Sequence, residues 1–74
     1  MRERILQILQ EVRHDVDFEN ERKLIDNGVL DSFDLISIVS GLNDEFEIEI
    51  TADELEAENF NMLDAIVALV ESMQ

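Results

Sequence analysis

The sequence predicts an all-α fold: a small four-helix bundle of three main helices and one short helix, with a long ordered first loop. Three observations point there. Three segments repeat apolar residues at the three-and-four spacing of a buried helix face. No proline and only two glycines, Gly28 and Gly41, interrupt the chain. Start signals of the capping type stand ahead of the helical stretches. At 74 residues there is room for one domain, read as 1–74, with a modest core.

The first helix is expected over Arg2 to His14, with Ile5, Leu9 and Val12 on its inner stripe and Leu6 and Ile8 beside them. Arg13 and His14 fall in its last turn, where positive charge complements the helix dipole. The connection from Asp15 to Asp31 is long for so small a domain. Val16, Phe18, Leu24, Ile25, Val29 and Leu30 give it apolar anchors for packing on the bundle.

Leu35, Ile38, Val39, Leu42 and Phe46 recur on one face of a second helix, expected from Ser32 to Phe46, with Asp31 and Ser32 as start signals. Gly41 weakens it by ~1 kcal/mol relative to Ala; close packing of another helix would explain a glycine there. Glu47-Ile48-Glu49-Ile50 alternates as a strand does but has no partner strand. It reads as an extended connector that plugs Ile48 and Ile50 into the core. Thr51 and Glu54 have capping-box spacing, which predicts a short helix over Ala52 to Glu58. The last helix is expected over Asn61 to Met73, with Asn61 as N-cap, Asp64 in the first turn, and Leu63, Ile66, Val67, Val70 and Met73 inside.

Five basic residues stand against nineteen acidic ones, a formal charge of −14. All five cations (Arg2, Arg4, Arg13, Arg22 and Lys23) precede residue 24, so the remainder carries thirteen acids and no cation. Such a field repels phosphate backbones and anionic lipid, which argues against nucleic-acid and membrane partners. It steers proteins with basic docking patches towards the chain. A hydrophobic share of 46% is too high for a disordered acidic tail. Without cysteine there is no disulfide, thiolate metal site or cysteine nucleophile. No apolar run reaches bilayer length, and Met1-Arg2-Glu3-Arg4 does not begin a signal peptide. The expectation is a cytoplasmic monomer. Asp15, Asp17, Glu19 and Asp26 have some of the spacing of a calcium loop, but Asn20 replaces the turn glycine and Arg22 lies inside, so no metal ligands are assigned.

The stretch that bears on chemistry is Gly28-Val29-Leu30-Asp31-Ser32-Phe33-Asp34, directly ahead of the second helix. Ser32 at the helix start would be exposed, near free backbone N–H groups and the positive dipole end, a setting suited to a phosphate ester. The competing explanation is a serine that merely caps the helix. Phe33, Ile36 and Ser40 fall on a stripe other than the core face, with Ser37 beside them and Asp31, Asp34 and Asp44 at the rim. An apolar patch with an acidic border suits docking to partners. The alternative is a broad core face that also takes in Phe33 and Ile36.

At these residues the chain resembles the acyl carrier protein family. Asp31-Ser32-Phe33-Asp34 is similar to the family's Asp-Ser-Leu-Asp signature, with Phe33 for leucine, and Leu24 to Leu30 looks like the loop leading into the modified serine. The resemblance covers essentially the whole chain, from helix order to the Phe46–Ile50 exit. It implies a non-catalytic carrier whose Ser32 bears a 4′-phosphopantetheine arm, installed from coenzyme A by a phosphopantetheinyl transferase. The arm's thiol then holds acyl or aminoacyl cargo as a thioester. A cargo-loading ligase or adenylating enzyme and downstream acyl-processing enzymes are the other implied partners. By the same resemblance Asp31 and Asp34 help the transferase recognise the site, and Phe33, Ile36, Ser37 and Ser40 belong to the docking helix.

Ser37 stands where fatty-acid carriers usually place an acid, and Ser40 where they place a larger apolar residue. The upstream loop and Glu58-Asn59-Phe60 look more like D-alanyl carriers or other stand-alone carriers. Val29-Leu30-Asp31 ahead of Ser32 departs from the peptidyl-carrier pattern. Cargo stays open among fatty acyl, polyketide, nonribosomal-peptide and D-alanyl or other aminoacyl loads. The alternative function is an unmodified acidic helical interaction module.

Overall fold

A computed structural model describes residues 1–74. The three apolar stripes become α1 (Arg2–Val12), α2 (Ser32–Phe46) and α4 (Leu63–Ser72), with a 3₁₀ turn at Ala52–Glu54, a short α3 (Ala57–Phe60) ahead of α4 and no strand. The result is the expected small all-α bundle, 28 × 24 × 20 Å. α1 packs on α2 and α4, and α3 packs on α4.

Every segment contributes to one core. α1 supplies Ile5, Ile8 and Leu9; the first loop supplies Phe18, Leu24 and Leu30; α2 supplies Ile38 and Leu42. Ile50 of the connector, Phe60 of α3, and Leu63, Ile66 and Val70 of α4 complete it. No polar side chain is buried among them. Each such residue contributes about 1.5–3 kcal/mol through loss of water contact. The three loop anchors, Phe18, Leu24 and Leu30, thus tie Asp15–Asp31 to the bundle.

Backbone bonds fix that loop further. The Leu24 N–H donates to the Asn61 carbonyl at 2.9 Å and the Leu30 N–H to the Leu24 carbonyl at 3.0 Å. Gly28 adopts φ +70, the left-handed region where a side chain is strained.

Four local expectations need correction. α1 ends at Val12, and Arg13 is extended (φ −140, ψ 91), its N–H donating to Leu9 O. Neither Arg13 nor His14 lies in the last turn of the helix. Asn61 does not cap α4, whose N-cap is Met62 with no side-chain cap bond. The Asn61 amide oxygen instead accepts from Ile25 N–H at 3.0 Å and Asp26 N–H at 3.1 Å, so its polar group is spent on the loop. The single short helix is split: Thr51 and Glu54 do bond, the Glu54 carboxylate accepting from the Thr51 N–H and hydroxyl at 3.2 Å each. The 3₁₀ turn then stops, Glu56 is extended, and α3 starts at Ala57.

In the Glu47–Ile50 connector Glu47 turns the chain in the left-handed region (φ 54), and Ile48–Ile50 form neither helix nor strand. The Asn43 side chain accepts from Ile50 N–H at 2.9 Å, which seats Ile50 in the core while Ile48 is half-buried.

Candidate functional site

The N-terminus of α2 is built by two aspartates. Asp31 is the N-cap (φ −99, ψ −177), and its Oδ1 accepts the Asp34 N–H at 2.8 Å. Asp34 Oδ2 accepts the Asp31 N–H at 3.3 Å, closing a reciprocal capping box. Ser32 is therefore the first helical residue, and capping, the ordinary explanation for a serine here, belongs to Asp31. Ser32 is exposed. The N–H groups of Ser32 and Phe33 lie in the first turn and have no carbonyl four residues back within the helix. Those donors and the positive end of a 15-residue helix favour an anion at this position.

Arg13 joins the site from outside α2. Its Nη1 donates to Asp34 Oδ2 at 2.7 Å and to the Val29 carbonyl at 3.2 Å. Its Nε and Nη2 donate to the two oxygens of Asp15, each at 3.0 Å. Hydrogen bonds from Arg13 hold the Asp15 carboxyl down at about 2, and those to Asp15 and Asp34 raise the pKa of the guanidinium further above its ordinary value. Asp34 thus turns inward, with only 15% of its side chain exposed, while Asp31 remains exposed.

Beyond Ser32, α2 presents an uncovered stripe. Phe33 is 82% exposed and Ile36 61%, and Ser37 and Ser40 are exposed with them at spacings of three and four. The broad-core alternative is thereby excluded for both apolar residues. On the opposite face Ile38 and Leu42 are buried, with Leu35, Val39 and Phe46 packed partly against the core. The helix keeps a dry side and an apolar outer side at once. Asp31 and exposed Asp44 border the outer stripe.

Sequence reasoning assembled Asp31, Ser32, Phe33, Asp34, Ile36, Ser37 and Ser40 on one element, and the structure keeps all seven on α2 or its cap. It missed Arg13, whose partners Val29 and Asp34 lie 16 and 21 residues away. No local pattern announces such a contact. The surface depressions of the molecule lie elsewhere, one beside Arg2, Arg22 and Leu63 and one on α1 at Arg4 and Gln10. No helix is long and apolar enough to cross a membrane.

The α2 terminus thus brings together the Ser32 hydroxyl, two capping carboxylates and the Arg13 cation, beside an exposed apolar stripe. The family model described as the phosphopantetheine attachment site matches residues 3–70. A D-alanyl carrier protein from Lactobacillus acidophilus is 28% identical over 71 residues, spanning 95% of this chain and 90% of the relative. With the match running from the first turn of α1 to the last turns of α4, the chain belongs to the phosphopantetheine attachment-site family, carriers whose covalent cofactor is 4′-phosphopantetheine.

Proposed function

We propose that Ser32 carries the arm and that residues 1–74, a single carrier domain, hold acyl or aminoacyl cargo on its thiol and pass it between enzymes. The observation that carries this reading is the Asp31–Asp34 capping box, which leaves an exposed Ser32 hydroxyl free at a helix N-terminus. The residues fit the group. A phosphodiester on Ser32 would meet the unpaired first-turn donors and the dipole, and solvent surrounds the position from which a long arm must swing.

Attachment forms a bond from the serine oxygen to the phosphorus that bears pantetheine and breaks the pyrophosphate linkage of coenzyme A there, the electron pair leaving with adenosine 3′,5′-bisphosphate. The hydroxyl proton passes to a base on a phosphopantetheinyl transferase, because no side chain hydrogen-bonded at the α2 terminus belongs to a general base for Ser32. When bound, the arm supplies a thiol that forms thioesters. This chain's own residues present Ser32 and offer the docking face: Asp31 at the rim, Phe33 and Ile36 as apolar anchors, Ser37 and Ser40 as small neutral neighbours. Asp34 contributes by holding the helix start. The chain is proposed to have no catalytic activity and to act in the cytoplasm as a monomer. Its further partners are a cargo-loading ligase or adenylating enzyme and acyl-processing enzymes with basic docking patches. The D-alanyl load named for its relative makes D-alanine the first cargo to try.

The test incubates the protein with a promiscuous phosphopantetheinyl transferase, Mg²⁺ and coenzyme A and reads intact mass. A gain of one arm by wild type and none by Ser32→Ala is expected. An unshifted wild type would favour an unmodified acidic interaction module, and modification of Ser32→Ala would move the site elsewhere.

A further inference from the structure

We infer that Arg13 is a positioning residue for modification at Ser32: it clamps the segments on either side of the serine and fixes the first turn of α2. The inference rests on Ser32 being the attachment site.

The contacts bracket the serine in sequence. Arg13 Nη1 holds the Val29 carbonyl, three residues before Ser32, and Asp34 Oδ2, two residues after it. The Asp34 oxygen it holds is the same one that accepts the Asp31 N–H. Cap and clamp therefore share an atom, and the orientation of Asp34 that closes the capping box is the orientation Arg13 enforces. Behind the guanidinium, Asp15 takes Nε and Nη2 in a two-pronged contact that fixes the plane of the fork.

This ion pair differs from the other two links between α1 and the rest of the bundle. Arg2–Asp64 and Arg4–Glu45 lie at the opposite end of α1, and their side chains are 37–61% exposed. Arg13 and Asp34 are 32% and 15% exposed, so water screens them less. The geometry also requires arginine. Four bonds in one plane to three partners use a rigid fork that a lysine ammonium cannot reproduce.

Removing the fork leaves the half-buried Asp34 carboxylate without its cation and frees the Val29 carbonyl. The first turn then frays, and the serine that an incoming transferase must align becomes mobile. Misplacement of a reacting oxygen by about 1 Å can cost a hundredfold in rate. The loss belongs in kcat, because the exposed stripe that docks partners is not touched by Arg13.

The experiment measures transfer from coenzyme A at varied carrier concentration for wild type, Arg13→Gln, Arg13→Lys and Arg4→Gln, with amide exchange at Asp34 and Leu35, whose N–H groups bond to Asp31. Arg13→Gln should lower kcat by roughly tenfold or more with little change in KM, and should speed exchange in that first turn. Arg13→Lys should recover only a minor part of the rate. Arg4→Gln removes an α1–α2 ion pair far from Ser32 and should keep wild-type kcat. Wild-type kcat in Arg13→Gln, full rescue by lysine, or an equal loss in Arg4→Gln would overturn the inference. Should Arg13→Gln fail to fold, Arg13→Lys decides the matter through the same kcat and exchange readings. Failure of wild type to accept the arm would instead sink the assignment of Ser32, so the two outcomes are distinct.

Discussion

A Cβ added to Gly41 of α2 would sit 2.9 Å from Ile8 Cγ2 of α1, closer than carbon atoms tolerate. Ile8 is buried, and its branch methyl sits on a side chain stiff at χ1, so it cannot swing away freely. The glycine sets how near the two helices lie. Gly41→Ala gains ~1 kcal/mol of helix propensity but overpacks a closed contact at about 1–3 kcal/mol. The melting temperature should fall. In an Ile8→Ala background the clash partner is gone, and the same substitution should raise it. A rise in both backgrounds would show that the contact does not limit the approach.

Asn61→Ala should destabilise by about 1–3 kcal/mol, because two backbone donors lose their shared acceptor. Those donors, Ile25 N–H and Asp26 N–H, fix the middle of the first loop, and the Asn61 amide also donates to Asp26 Oδ2 at 3.1 Å. Hydrogen exchange should accelerate at Ile25 and Asp26 ahead of the α2 amides. Uniform acceleration across the bundle would mean that Asn61 supports the fold globally and not the loop in particular.

Particular residues show how much of this was legible. α1, α2 and α4 are readable because three-and-four spacing is local, and Ser32 with Phe33, Ile36, Ser37 and Ser40 falls on one face by the same arithmetic. Asn61 misleads because an asparagine ahead of a helix looks the same whether it caps the helix or tethers a loop 35 residues away. Arg13 misleads for a similar reason: a cation near a helix end suggests the dipole, and only tertiary structure shows it reaching Asp34. The split at Leu55–Glu56 carries no breaker residue; the Asn59 side chain donates to the Glu54 carbonyl across it. Side chains that serve distant backbone leave no periodic trace.

Salt should raise the melting temperature. Of the thirteen acids after residue 23, Asp34, Glu45 and Asp64 meet cations of the N-terminal segment in ion pairs. Mutual repulsion among the others favours expansion, whereas exposed ion pairs contribute only about 0–1 kcal/mol each. Screening therefore removes more destabilisation than stabilisation. Raising NaCl from about 20 to about 300 mM shortens the Debye length severalfold, and calorimetry should show a higher midpoint, with Mg²⁺ acting at lower concentration. A falling midpoint would mean that the ion pairs outweigh the repulsion.

Stability should be lost on the acid side of the pH profile. Hydrogen bonds from Arg13 depress the folded pKa of Asp15 to about 2 from 3.8. A depressed carboxyl contributes stability that is fully present above its unfolded value and is lost as pH falls through the folded one. Glu45 is also lowered, by its hydrogen bond from Arg4, and has the same sign. Stability should thus turn downward below about pH 4. Arg13→Gln should soften that acid limb, and circular-dichroism melts of both proteins across pH 2–7 would show an unchanged limb if the pairing contributes nothing.

Phe33→Ala separates docking from folding. At 82% exposure the ring buries little against its own bundle, so stability should change by no more than about 0.5 kcal/mol. The ring and Ile36 nonetheless form the apolar centre of the stripe beside Ser32, where a partner's pocket would exclude water from both. Loss of such an anchor should lower kcat/KM for transfer to Ser32 by 3- to 30-fold, equivalent to about 0.7–2 kcal/mol. On the proposed docking role the loss should fall mainly on KM, in contrast to the kcat effect expected at Arg13, since the ring would meet the partner while the first turn stays intact. Ile36→Ala should act in the same direction, and the pair should combine less than additively because one pocket covers both. Wild-type kinetics in Phe33→Ala would show that the outer face of α2 plays no part in docking the transferase.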